Sequence, residues 1–204
     1  MHNELPVLRQ QNVRVSTLKG PTGWCRINAY GACQIPAKWR DWLLDQTSLT
    51  ARLQTCCEGN LRVQVISQRV QLPMPSERRI LRNLMGSHGL VREVLLFGAG
   101  QPLVHARTVM PRMTTRGPLC ELRELGNQPL GTWLFAQPSI KRGAIEVARI
   151  DGAHMSGIDQ EPQRAILWGR RSIFSVREQP LLVTEIFLPA FRELPKFGSG
   201  LSAQ

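Results

Sequence analysis

Two runs of β-forming residues, Leu90 to Phe97 and Leu103 to Met110, flank the turn Gly98-Ala99-Gly100-Gln101, and no other pattern constrains the chain as tightly. Branched apolar residues on both sides of a glycine-containing turn predict an antiparallel hairpin. An apolar hairpin is not stable alone, so it needs further strands beside it and a cover over its faces. The chain supplies both. Asn60 to Leu72 opens with Leu61, Val63 and Val65 at period two and stops at Pro73 and Pro75. Ile140 to Ile150, Ile166 to Val176 and Leu181 to Leu188 are three further strand candidates.

Between the strands lie short helices. Pro36 is suited to a first helical position, and Trp39, Trp42 and Leu43 mark one apolar face after it. Thr47 and Ser48 each offer a hydroxyl to cap a second helix that carries Leu49 and Leu53. A helical turn or two is expected over Ser76 to Met85, closed by Gly86 and Gly89. Pro118 to Leu125 and Pro129 to Phe135 read as a second helical pair. Six strands with helices placed irregularly among them predict an α+β fold with one antiparallel six-stranded sheet. Asp151 to Gln163 is rich in turn-forming residues and reads as a surface loop.

The 204 residues suit a single domain. The expected organisation is an N-terminal arm over 1–24, one domain over 25–191 and a C-terminal tail over 192–204. Lys and Arg number 26 against 15 Asp and Glu, a net charge of +11, so anionic partners are expected. Nucleic acid is disfavoured among these, because one Tyr and six Phe form no stacking run. No apolar run approaches the roughly 18 residues of a membrane span. Five cysteines without a C-x-x-C and four scattered histidines, His2, His88, His105 and His154, indicate neither a disulfide framework nor a metal site. A reduced, cytoplasmic protein without a cofactor is expected.

Three charged residues stand on apolar strand faces. Glu185 shares one face with Leu181, Val183 and Phe187, and the other face is apolar as well. A carboxylate there either serves as a general acid or base or forms a buried ion pair with an arginine. Arg92 lies in line with Leu90, Val94 and Leu96, and Arg107 with Leu103 and Val109. If Phe97 faces Pro102, the two arginines stand opposite one another, an arrangement that calls for an anion between them. A single bulge would cancel that register, leaving two ordinary sheet arginines. Gly169-Arg170-Arg171 could likewise hold an anion or merely flank a strand.

Six blocks taken in order carry a resemblance: Leu90-Val91-Arg92-Glu93-Val94-Leu95-Leu96, Ala106-Arg107-Thr108-Val109-Met110-Pro111, Pro129-Leu130-Gly131, Ile145-Glu146-Val147, Leu167-Trp168-Gly169-Arg170-Arg171-Ser172 and Thr184-Glu185-Ile186-Phe187-Leu188-Pro189. From about Trp24 to Pro189 the chain resembles chorismate pyruvate-lyase, the family that makes 4-hydroxybenzoate for ubiquinone synthesis. The resemblance implies an internal site on a six-stranded antiparallel sheet, closed by two helix-turn-helix flaps. It also implies that Arg92 and Glu185 contact the aromatic product, with backbone contacts from Leu130 and Leu49. On that basis the expected catalytic residues are Glu185 and Arg92, and the expected substrate contacts are Arg92, Arg107, Leu130, Leu49 and Glu185. Arg92 would take the ring carboxylate of chorismate and Arg107 the enolpyruvyl carboxylate, while Glu185 handles protons near the ring oxygen. A monomer is expected, with chorismate and 4-hydroxybenzoate as its small-molecule partners. The alternative is a non-enzymatic module of the same fold that senses small carboxylates, as in the effector domains of some transcription regulators.

Overall fold

The computed structural model describes residues 23–26, 35–82, 87–117, 119–152, 166–195 and 197–198. Its described strands are β1 (Cys25–Arg26), β2 (Arg62–Gln71), β3 (Gly89–Gly98), β4 (Gln101–Pro111), β5 (Lys141–Arg142), β6 (Glu146–Asp151), β7 (Ile166–Val176) and β8 (Gln179–Phe187). They form one antiparallel sheet in the order β1-β6-β7-β8-β4-β3-β2, with β5 beside β7. The sheet has eight strands where six are expected, because β1 and β5 are two residues long and leave no period in the sequence. β5 and β6 together occupy the span expected as one strand. In the gap between them the Gly143 amide donates to the Ile173 carbonyl at 2.8 Å, so the chain stays against β7.

The helices are α1 (Ala37–Leu43), α2 (Leu49–Cys56), α3 (Pro75–Ile80), α4 (Arg112–Arg116) and α5 (Leu130–Phe135), with 3-10 turns at Cys120–Glu124 and Pro189–Glu193. α1 follows Pro36 and buries Trp39, Trp42 and Leu43 as its pattern predicts. Of the two candidate caps for α2, Ser48 is used, its Oγ accepting from the Ala51 amide at 3.3 Å. Thr47 instead donates its amide and hydroxyl to Asp45 Oδ1 at 2.7 and 2.6 Å, which tightens the corner between α1 and α2. The second helical pair departs from expectation: its first member is the 3-10 turn, and α4, set directly after β4, has no counterpart in the sequence reading. The N-terminal arm before Gly23, Met85 and Gly86, Pro118 and most of the Asp151 to Gln163 loop lie outside the described residues.

Both faces of the sheet are covered, so β3 is buried along almost its whole length. On the inner face Leu90, Met110, Phe174 and Leu181 pack with Leu122 and Leu134 in one apolar cluster. A second inner cluster joins Val94, Leu96 and Phe187 to Trp39, Trp42 and Leu53. On the outer face Leu95, Ile150 and Ile186 form one cluster, and Val91, Val109 and Leu182 form another with Leu81.

Two bulges decide which polar residues share a face. In β4 the pairing steps from Phe97–Pro102 to Leu96–Val104, which leaves Leu103 as an extra residue. In β2 it steps from Val65–Val94 to Ser67–Glu93, which leaves Ile66 extra. Arg92 therefore faces Thr108 on one side and Gln68 on the other, while Glu93 faces Arg107 and Ser67. Arg107 lies on the outer face, where Glu77 Oε1 is 2.7 Å from its Nε and Glu93 Oε1 is 2.8 Å from its Nη1. Burial disfavours this guanidinium, but the two carboxylates outweigh it and hold its pKa above the usual value. The expected opposition of Arg92 and Arg107 is thereby corrected: one bulged residue puts Arg107 on the far side of the sheet.

Beside this cluster His105 is fully buried, with neither ring nitrogen hydrogen-bonded among the described residues. Burial pushes its pKa down to about 4 against the opposing pull of Glu93, 4.0 Å away, so the ring is neutral at pH 7. The unfolded chain binds this proton near pH 6.5 and the folded chain does not until about pH 4. The group's contribution to stability is full above about 6.5 and is lost as pH falls towards 4, a change of about 2–3 kcal/mol. His105→Leu is expected to remove that part of the acid sensitivity. Urea unfolding of both proteins at pH 7 and pH 4.5 checks it.

Candidate active site

Between the two inner clusters a belt of polar side chains crosses the sheet: Arg92 on β3, Thr108 on β4, Glu185 on β8, Arg170 on β7 and Arg142 on β5. They line one cavity, roofed by Leu49 and Thr50 of α2 and by Leu130, Gly131 and Leu134 of α5. Its volume is about 50 Å³. One water needs roughly 10–15 Å³ on that measure, so the space suits a body of a few waters' size, such as a single small ring.

Arg92 is buried and held by neutral acceptors alone: Gln68 Oε1 at 3.0 Å, the Gly126 carbonyl at 2.7 Å and the Gln128 carbonyl at 3.3 Å. These carbonyls precede α5 and put the guanidinium next to the start of that helix. Burial pushes its pKa below the usual arginine value, and no carboxylate among the described residues pairs with it. Leu49 and Leu130 each open a helix, so their amides have no intrahelical acceptor.

Glu185 stands opposite Arg170 across the β7–β8 ladder, and Arg170 Nε donates to its Oε2 at 2.6 Å. Arg170 Nη1 also reaches the carbonyls of Trp42 and Asp45 at 2.7 and 2.9 Å. Arg142 donates to Ser172 Oγ at 3.2 Å and to the carbonyls of Asp45 and Thr47 at 3.1 and 3.3 Å. Its own charge is uncompensated: burial and then the neighbouring Arg170 push its pKa down to about 10, against Glu185 and Asp45. Asp45 does not line the cavity; its carboxylate is taken by Thr47 and by Arg52 at 3.1 Å.

Three guanidiniums and one carboxylate therefore line an enclosed space. On the outer face each buried arginine touches a carboxylate, Arg107 with Glu77 and Glu93, Arg171 with Glu146 at 2.7 Å. The inner belt lacks that balance, with Glu185 the one carboxylate among three guanidiniums. Among the described residues no three His, Cys, Asp or Glu side chains converge to hold a metal ion.

Of the expected site residues, Arg92, Glu185, Leu49 and Leu130 line this cavity and Arg107 does not. Glu185 is ion-paired with Arg170 and also faces the cavity. Arg142 is absent from the expected site, and Arg170 stood there only as an undecided strand residue. Arg170 meets Glu185 because the two-residue turn Arg177-Glu178, both at positive φ, folds β7 onto β8. That turn carries no glycine or asparagine to announce it.

A family model for chorismate lyase matches residues 22–194. The chain belongs to the chorismate lyase family. A probable chorismate pyruvate-lyase of Aromatoleum aromaticum is 40% identical over 168 residues, which cover 79% of this chain and 90% of that one. One of Methylococcus capsulatus is 38% identical over 157 residues, 76% of this chain and 97% of that one. Among solved structures, PhnF from Mycobacterium smegmatis aligns with a TM-score of 0.50 at 16% identity, covering 72% of this chain and 65% of that one, which is a likeness of fold.

In this member of the chorismate lyase family α5 meets α2 at Gly131. A Cβ there would lie 2.5 Å from Thr50 Oγ1, 3.2 Å from Thr50 Cβ and 3.4 Å from Ser48 Oγ, so glycine lets α5 pack closely on α2 where a larger residue would push Thr50 aside. Gly131→Ala is expected to cost about 1–3 kcal/mol through overpacking. It should also speed amide exchange in α2 and α5 while β3 and β4 stay protected, as hydrogen-exchange measurements on folded protein would show.

Proposed function

We propose that the protein removes pyruvate from chorismate and releases 4-hydroxybenzoate, the first committed step towards ubiquinone. The observation that carries this reading is the ring-sized cavity lined by three guanidiniums and one carboxylate, an excess of two positive charges, in a chain of the chorismate lyase family. Chorismate is a small dianion, and its charge matches that excess. In the reaction the ring C3–O bond breaks, the C4 hydrogen leaves as a proton, and the departing enolpyruvate gains a proton at its methylene carbon. The ring becomes aromatic, and atoms and electrons balance without an oxidant. The task for the protein is to orient the ether and to manage protons in a space closed to water.

Arg92 takes the ring carboxylate, joined by the free amides of Leu130 and Leu49 where the two flaps begin. Glu185 lies across the belt, beside the ring hydroxyl, and handles protons during elimination; Arg170 fixes its position through the 2.6 Å pair. Purified protein incubated with chorismate should yield pyruvate and 4-hydroxybenzoate in equal amounts. Tight binding of aromatic carboxylates without turnover would favour a sensing module instead.

Arg92→Ala should weaken 4-hydroxybenzoate binding by about 2–4 kcal/mol, and Lys should restore only part, because a point charge does not reproduce the fork. Calorimetry reads this directly. Glu185→Gln should lower turnover at least ~100-fold, the lower range for lost general acid–base action. Melting temperature and turnover measured on one preparation separate the roles: a destabilised but normally active variant would confine the carboxylate to its ion pair with Arg170.

A further inference from the structure

With Arg107 on the outer face, the second carboxylate of a dianionic ligand has no partner among the expected site residues. The inner belt offers one. Arg142 and Arg170 hold their Nε and Nη1 groups on fixed acceptors, and the Nη2 group of each donates to none of the described residues. Glu185 compensates Arg170, and Asp45 is occupied by Arg52 and Thr47, so the unmatched charge at this end of the cavity belongs to Arg142. Arg92, the other unmatched cation, stands on β3, with β4, β8 and β7 between it and β5. Four interstrand steps span roughly 19 Å of sheet, and the two side chains approach the cavity from opposite ends.

We propose, resting on the chorismate reading for the ligand's identity, that Arg142, assisted by Arg170, is the subsite for the enolpyruvyl carboxylate. Arg142 then distinguishes substrate from aromatic product, because 4-hydroxybenzoate has one carboxylate and leaves this end empty. The same two arginines hold the carbonyls of Trp42, Asp45 and Thr47 at the α1–α2 corner. A carboxylate placed on them relieves the repulsion between two like charges that keep the first flap in place. Occupation of the subsite and closure of that flap are therefore one event.

The test is a comparison of wild type, Arg142→Met and Arg142→Lys, each shown to be folded by its melting curve. Methionine keeps an apolar stem on the Phe174 ring, over which the Arg142 guanidinium sits at 5.1 Å. Loss of a charge-assisted contact predicts that kcat/KM for chorismate falls about 10- to 150-fold in Arg142→Met, with partial recovery in Arg142→Lys. The Kd for 4-hydroxybenzoate should stay within about threefold of wild type. An equal loss in both quantities would overturn the proposal, because Arg142 would then only hold the flap; an unchanged kcat/KM would overturn it as well. A binding arm does not depend on turnover: 3-(carboxymethoxy)benzoate, an aromatic ring with both carboxylates, should bind wild type more tightly than benzoate, and Arg142→Met should abolish that preference. Wild type that fails to convert chorismate yet shows this dianion preference would sink the chorismate reading and leave the subsite standing. Equal binding of the two probes to wild type would sink the subsite.

Discussion

Burial of charge across the middle of a two-faced sheet is the constraint on which the rest of the structure depends. Arginine and glutamate in apolar strands are costly unless each finds a partner. The outer belt meets that requirement internally, with Arg107 between Glu77 and Glu93 and Arg171 on Glu146. The inner belt does not, since only Glu185 faces three guanidiniums. The fold thus pairs its charges on one face and leaves an excess of positive charge on the other, beneath a roof formed by α2 and α5.

The roof is part of the same arrangement. Arg142 and Arg170 hold the corner carbonyls between α1 and α2, and Arg92 holds the carbonyls just before α5. The start of each roofing helix is thus held by an arginine that also faces the cavity. Gly131 allows the two flaps to touch, and the small residues Thr50 and Ser48 receive it. The roof is therefore held by packing at one seam and by charge at both ends.

Much of this was legible from residues alone. The central hairpin, the two-helix corner at Trp39 to Leu53 and the long strands β7 and β8 follow from period, turn and cap signals that act within a few residues. Arg92 and Glu185 stood out because a charge on an apolar strand face is conspicuous in any register. Arg107 was conspicuous for the same reason but fell on the wrong face, because its partner depends on Leu103 being an extra residue in β4. Arg142 was invisible, since a two-residue strand has no period and an arginine among 26 lysines and arginines draws no attention.

The sequence by itself determined which segments become strands and helices, and which strands carry charge where apolar residues surround it, because these are properties of nearest neighbours along the chain. Only the tertiary structure decided which of those charges meet. Two bulged residues, Leu103 and Ile66, and a turn at Arg177-Glu178 without the usual residues set the registers of the sheet. One step of register moves a side chain to the opposite face, and that step is chosen by the packing of Leu103 and Ile66 into cores built from distant parts of the chain.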